Sequence, residues 1–306
     1  MKKHILFVAA LAICAAMVSC EKEEPLQDLN PTIDNQSVTI ASGETATVKF
    51  SLNDVRGNVI TSDLKCNPAA QYDVKLSMDA AYETGTVTIT APSLILDDTQ
   101  FDIDLTFTDQ ANSRVASSKI TVKPTLVKGL VKFTKAANSF IVAPGAVAVF
   151  PTSKGNSGTD AKPSSIKVEW QDNAGLFVDA PKVGGGEAIV RFAEGKEGNV
   201  VLDGVDASGN VVWSWLFWVM KDPPKDVKVG ESTFMDRNVG ALNLDEKSDL
   251  SVGVIYQYGR KDPFPGLKFD EYALRTIYDG TGAEKTVTIT KNEEQNNLEN
   301  TIKNPG

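Results

Sequence analysis

Histidine is almost missing from this chain. One residue, His4, stands among 306, beside 31 Lys and Arg and 40 Asp and Glu, with a formal charge of −9. Histidine is the side chain whose charge changes near neutral pH, and it is the commonest transition-metal ligand. A Ser-His-Asp arrangement or a mixed Cys/His zinc site would have to use His4 itself. Cysteine is nearly as sparse, with Cys14, Cys20 and Cys66 only. Long apolar runs are missing too. The longest, Ile5 to Val18, falls short of the roughly 20 residues a membrane-spanning helix needs. The acidic balance speaks against nucleic acid, whose phosphates demand clustered Lys and Arg. Acid–base chemistry by carboxylates survives in principle.

What is present begins at the N-terminus. Lys2-Lys3-His4 precedes the apolar run, and Met17-Val18-Ser19-Cys20 closes it, followed at once by Glu21-Lys22-Glu23-Glu24. A cationic start, a short apolar stretch and a small residue before the cut read as a secretory signal. The plain alternative is an ordinary signal with an incidental cysteine. Ser19-Cys20 after Met17-Val18 resembles the lipobox of bacterial lipoproteins, in which cleavage falls before the cysteine and its thiol is acylated. Cys14, preceded by bulky Ile13, fits less well. The expectation is a signal peptide over 1–19, lipid on Cys20 as the membrane partner, and an outer-membrane protein facing the cell surface. Cleavage removes His4 together with Lys2 and Lys3, taking the charge from −9 to −11. The mature chain then has no histidine, and Cys66 is its one free thiol. In Leu64-Lys65-Cys66-Asn67-Pro68 that thiol sits where a strand runs into a turn. It reads as a small, inert side chain, since nothing nearby would depress its pKa. No disulfide, metal or cofactor is expected.

Residues 20–31 are charged and then contain Pro and Asn, without periodicity, and read as a tether. From 32 to 124 the pattern has period 2. Phe101, Ile103, Leu105 and Phe107 alternate with Asp102, Asp104 and Thr106, and Tyr72, Val74, Leu76 and Met78 alternate with Asp73, Lys75 and Ser77. Alternation places one face in a core and the other in water. About seven such runs separated by Gly, Asn and Pro turns read as an immunoglobulin-like sandwich, without its Cys–Trp–Cys core. Asp102 and Asp104, with Asp97 and Asp98 nearby, have the oxygen chemistry of a Ca²⁺ site. The required Gly and terminal Glu of a calcium loop are missing, so a solvated strand face is the better reading.

From 128 to 222 a second β unit follows, holding all four tryptophans. Gly184-Gly185-Gly186 lacks the spacing and helix of a phosphate loop and reads as a hairpin turn. In Trp213-Ser214-Trp215-Leu216-Phe217-Trp218-Val219-Met220 both alternating faces are apolar. Such a strand is covered on both sides; an aromatic platform for stacking sugars is the competing reading. From 225 to 306 charged and aromatic residues interleave, large apolar residues are too few for a closed core, and a helix is expected near Asn292 to Lys303. The fold class is therefore mainly β: two tandem immunoglobulin-like β-sandwich domains and an incomplete α+β region.

Three stretches in order carry a family resemblance. They are the run from Ala137 to Trp215, then Phe234-Met235-Asp236-Arg237-Asn238-Val239-Gly240-Ala241, then Tyr256-Gln257-Tyr258-Gly259-Arg260-Lys261-Asp262-Pro263-Phe264-Pro265. Together they resemble fimbrillin-like and FISUMP-type (Fibrobacter succinogenes major paralogous domain) surface lipoproteins of Bacteroidetes. Leu216 and Tyr258 stand where that family usually has His and Trp. The family domain also normally continues into a Trp-rich half past an Asn-Pro such as Asn304-Pro305, so a truncated domain is expected. The resemblance implies adhesion, fimbria-like assembly or glycan-associated binding, and no catalytic residue. Asp236, Arg237, Asn238, Tyr256, Tyr258, Arg260, Lys261 and Asp262 are its ligand-binding candidates; internal salt bridges holding a loop-rich region are the bland alternative. No pattern here resembles a glycosidase. Two function classes compete: a non-enzymatic surface protein with an adhesive or fimbria-like role, and a glycan-binding accessory protein of a polysaccharide-uptake system.

Overall fold

The computed structural model describes residues 24–67, 71–257, 260–271 and 273–287. Cys20, Tyr258 and the helix expected near 292–303 lie outside the described residues. The chain divides into two compact units, one of residues 1–92 and 99–123, the other of 93–98 and 124–306.

The first unit contains β1 (Pro31–Ile33), β2 (Ser37–Ile40), β3 (Thr45–Leu52), β4 (Ile60–Cys66), β5 (Asp73–Met78), β6 (Thr84–Thr90), β7 (Phe101–Asp109) and β8 (Arg114–Pro124). They form two four-stranded sheets in the orders β1-β3-β6-β5 and β2-β8-β7-β4. Naming the strands A, A′, B, C, D, E, F and G in chain order gives ABED facing A′GFC, the immunoglobulin arrangement. The period-2 runs supply the core. Ile103, Leu105 and Phe107 of β7 are fully buried, and the Phe107 ring lies 5.0 Å from that of Phe50. The outward residues of β7 and β8 are polar apart from Val115. Asp102 accepts from Thr121 Oγ1 at 2.7 Å and Lys119 Nζ at 3.0 Å, which hold its carboxyl below the usual range. Among the described residues no group of three His, Cys, Asp or Glu is placed to hold a metal ion. Cys66 ends β4 half-buried, and desolvation pushes its thiol up.

One buried charge ties the β7–β8 hairpin. Asp109 accepts from Arg114 Nη2 at 2.6 Å, Arg114 Nε at 3.0 Å and Asn112 Nδ2 at 2.9 Å. Those donors, Asn112 first, draw its pKa down to about 2 against burial. A depressed carboxyl stabilises the fold above its ordinary value of 3.8, and the contribution is lost as pH falls toward about 2. Asp109→Ala is expected to cost the first unit about 1.5–3 kcal/mol near neutral pH, and less in acid, because charge-assisted hydrogen bonds of about that worth disappear. Denaturation followed by hydrogen exchange at β7 amides measures it; an equal cost at both ends of the pH range would refute it.

The second unit repeats the plan. Its strands are β9 (Leu130–Lys132), β10 (Ser139–Val142), β11 (Val147–Pro151), β12 (Ser165–Gln171), β13 (Lys182–Gly184), β14 (Glu187–Arg191), β15 (Gly198–Val205) and β16 (Val211–Val219). The orders β9-β11-β14-β13 and β10-β16-β15-β12 reproduce ABED and A′GFC strand for strand. One difference is β9, which pairs with β11 in parallel where β1 and β3 are antiparallel. The β13–β14 hairpin turns through Gly185 and Gly186 at φ 64° and 81°, which only a two-residue turn with both centres left-handed requires. Between the sheets Phe140, Phe150, Phe192, Trp213, Trp215 and Phe217 form an aromatic core.

Among the described residues after Met220 are β17 (Asp226–Val229) and β18 (Ser232–Met235), a 3₁₀ turn at Asp249–Ser251, and β19 (Ile277–Tyr278) and β20 (Glu284–Lys285). β17 and β18 make an exposed hairpin of their own. β19 and β20 add to the free edge of β12, widening that sheet to six strands. The shortage of apolar residues after 225 is met by sharing. This stretch uses the outward face of the second sandwich as its core, with Val254 and Ile277 packed on Trp170, Val201 and Leu216.

Candidate functional site

That shared face is built by alternation. On β16, Trp213, Trp215, Phe217 and Val219 point between the sheets, so Ser214, Leu216 and Trp218 point outward. Their partners on β15 form three outward rungs: Asn199 opposite Trp218, Val201 opposite Leu216, and Asp203 opposite Ser214. On β12 the register slips between Val168 and Trp170, leaving Glu169 as a bulge residue. Strict alternation would place Trp170 on the inner face with Ile166 and Val168. The bulge turns it outward, where its Nε1 donates to Pro263 O at 3.2 Å. The outward face is thus an apolar patch with a polar rung at each end, and the chain from 236 to 287 lies on it as a cover.

At one end Asp172 takes Asn199 N at 2.6 Å and Asn199 Nδ2 at 2.9 Å, and Arg275 Nη2 approaches to 3.1 Å. Its carboxyl is 1% exposed, and burial raises its pKa in spite of Arg275 and Asn199. Asn199 Nδ2 also donates to Gly240 O at 2.8 Å. Gly240 has φ 80°, and a Cβ there would meet Val254 Cγ1 at 2.7 Å and Asn199 Oδ1 at 3.0 Å, so the backbone can come this close only without a side chain.

At the other end Asp262 accepts from Ser214 Oγ at 2.5 Å and from Lys261 Nζ at 2.6 Å, while Lys261 Nζ also donates to Ser214 O at 2.9 Å. The ammonium lies 4.9 Å from the centre of the Trp213 ring, and burial lowers its pKa against the pull of Asp262. Lys285 Nζ binds Glu169 through its backbone O at 2.6 Å and its carboxylate at 2.9 Å. Asp203 lies among these groups. Burial raises its pKa to about 7, with Glu169 and Asp262 adding to the rise and Lys285 and Lys261 opposing it. This set can hold or release a proton near neutrality. Ser214 is wholly buried, so no reactant reaches its Oγ; it anchors the cover.

The eight residues singled out by motif do not converge on one point. Lys261 and Asp262 enter the Asp203 cluster. Arg260 stands beside it, with Nε donating to Asp262 O at 3.1 Å and its guanidinium 4.3 Å from the Phe264 ring. Asp236 and Arg237 form a two-pronged pair at 2.8 and 3.1 Å, and Arg237 Nη1 reaches Asp222 O at 3.2 Å, closing the base of the β17–β18 hairpin. Each holds the other charged: Arg237 lowers the Asp236 pKa, and Asp236 raises that of Arg237. Asn238 Nδ2 donates to Val252 O at 3.2 Å. Tyr256 is 49% exposed, and Tyr258 lies outside the described residues. The sequence reading passed over Asp203, Glu169, Asp172, Asn199 and Arg275. One signal for the first was available: Asp203 is a lone charge in the apolar run Val-Val-Leu-Asp-Gly-Val.

Fold and site together define a tandem immunoglobulin-like β-sandwich protein whose second sandwich carries its own cover. No protein-family model matches the chain, and no curated protein matches it. Among solved structures it is similar to a chimeric titin Z1Z2 carrying a decorin peptide, at 19% identity over 31% of this chain and 93% of that one, with a TM-score of 0.24. It is also similar to the Plasmodium falciparum protein Pf12p, at 8% identity over 60% and 92% and a TM-score of 0.32. The tandem Ig repeats of Dlar align at 13% identity over 62% and 97%, with a TM-score of 0.21. The strand orders above, rather than these scores, establish the immunoglobulin-like topology.

Proposed function

We propose that this chain is a lipid-anchored, non-enzymatic protein of the bacterial cell surface with an adhesive or fimbria-like structural role, of the fimbrillin-like and FISUMP kind. The observation that carries the reading is the order of parts: a lipobox-like Cys20, a charged stretch after it, and two sandwiches of one strand plan in series. The expected tether is already bound to the first sandwich from Glu24 on, through Arg56, Arg114 and the buried Leu29. Such a chain serves as a spacer that holds a terminal module away from the membrane. The motif residues Asp236, Arg237, Asn238, Lys261 and Asp262 spend their polar groups on internal contacts, which suits a structural part. The competing glycan-binding role needs an exposed aromatic platform, and Trp213, Trp215 and Trp218 are 2%, 0% and 3% exposed. Among the described residues no helix is long and apolar enough to cross a membrane.

Cys20→Ala tests the anchor. We expect the variant to lose acylation and to accumulate uncleaved at Ser19, held at the inner membrane by its apolar run and absent from the outer membrane. Retention on the membrane with normal processing would refute the lipid reading. Protease shaving of intact cells tests surface exposure. Adhesion lost on deletion of the gene, without glycan-array binding by the purified protein, supports the structural role. Saturable glycan binding that survives in the purified protein supports the alternative.

A further inference from the structure

Charge is buried at both ends of the covered face, but at one end only is a buried acid left without a partner. Asp203 is 6% exposed, and its Oδ1 accepts no hydrogen bond among the described residues. Charged groups face it from each element around it: Glu169 from the β12 bulge, Lys285 from β20, and Lys261 and Asp262 from the cover loop. Ser214, opposite it on β16, has already given its hydroxyl hydrogen to Asp262. Tyr256, beyond Asp262, has its hydroxyl pushed up by burial and by that carboxylate, so it stays neutral. The set contains three carboxyl groups and two ammonium groups. It balances when one carboxyl holds a proton. Asp262 is bound by Lys261 and Ser214, and Glu169 by Lys285; Asp203 has neither kind of partner.

We propose that the cover is a proton-controlled latch: the segment carrying Lys261, Asp262 and Lys285 seats on the second sandwich while Asp203 is protonated, and opens locally once Asp203 is ionised. An ionised Asp203 has no hydrogen-bond donor on Oδ1 and would add a third negative charge beside Asp262 and Glu169 in a largely desolvated site, where such a charge is costly. Opening lets water solvate it. The sign follows from the two states. In the open segment Asp203 titrates near its ordinary 3.8, and in the closed one near 7. Closure is therefore favoured most fully below 3.8, weakens as pH rises toward 7, and is constant above that.

Hydrogen exchange on the full chain tests this, with protection factors corrected for the intrinsic pH dependence of exchange. Informative amides are those of Val254 and Arg275 in the cover, bonded to Val239 O and Gly266 O, with amides of β11 and β14 as the reference. We expect cover protection to fall by up to about tenfold per pH unit from about pH 5 to 7, then level off, as a single linked proton requires. In Asp203→Asn, which keeps the shape and loses the charge, the slope over about pH 5 to 7 should fall by the one proton assigned to Asp203, leaving only the contribution of Asp172, which burial under the same cover also raises. Asp262→Asn, which removes one like charge, should move the levelling-off point to lower pH. The proposal is overturned if wild-type cover protection is flat, if Asp203→Asn keeps the slope, or if β11 and β14 lose protection in step with the cover. Should Asp203→Asn fail to fold, an unmoved levelling-off point in Asp262→Asn overturns it as well.

Discussion

Trp215→Ala is expected to destabilise the second unit by about 3–5 kcal/mol, the range for truncating a large aromatic in a closed core. Trp215 is 0% exposed, meets the Phe150 ring edge-on at 5.5 Å, and donates from Nε1 to Ser153 O at 3.4 Å. Gly204 lies against its six-membered ring, where a Cβ would meet ring atoms at 2.9 and 3.0 Å, so the indole packs directly on the β15 backbone. Truncation would leave a void bounded by both sheets. Trp170, Trp213, Trp215 and Trp218 all belong to the second unit. Tryptophan fluorescence in a denaturant titration therefore reports that unit without interference from the first. A loss under about 1 kcal/mol, the scale of a surface substitution, would contradict the core assigned to β16.

Asp172→Ala carries a comparable expectation for a different reason. It strands the Arg275 guanidinium, 9% exposed, in a site already short of acceptors for it, and leaves Asn199 without its carboxylate. Removing one partner of a buried ion pair costs about 3–5 kcal/mol, whereas replacing both by apolar residues of similar volume is often nearly neutral. The double variant Asp172→Leu with Arg275→Met should accordingly be milder than Asp172→Ala alone. The same fluorescence titration decides this, and a double variant at least as damaged as the single one would refute it.

Much of the first sandwich was legible because its outward residues stay polar. Asp102, Thr106 and Lys119 sit in water opposite Ile103, Phe107 and Ile120 in the core, so period 2 names both faces. The strand from Trp213 to Met220 was legible in a weaker sense. Two apolar faces require two covers, and the structure supplies the aromatic core on one side and the chain after 236 on the other. What covers the second face was not legible. It is assembled from single contacts far apart in sequence, such as Trp170 with Pro263 and Gln171 with Asp279. The Glu169 bulge was hidden as well, since one extra residue in a strand leaves no compositional mark but reverses the facing of Trp170 and Gln171. Asp236, Arg237, Lys261 and Asp262 stood out by motif. Their spacing could not tell that one pair closes a hairpin and the other enters a buried cluster.

The borrowed face also fixes an order of events during synthesis. The second sandwich has all of its A-to-G strands once the chain reaches Val219, yet Ile277, which helps bury Val201 and Leu216, is made later. Until that later stretch docks, an otherwise complete sandwich displays Trp170, Val201 and Leu216 to whatever is nearby. A chain cut between Met220 and Ile277 would therefore keep every sandwich strand and still be a sticky intermediate in place of a finished unit.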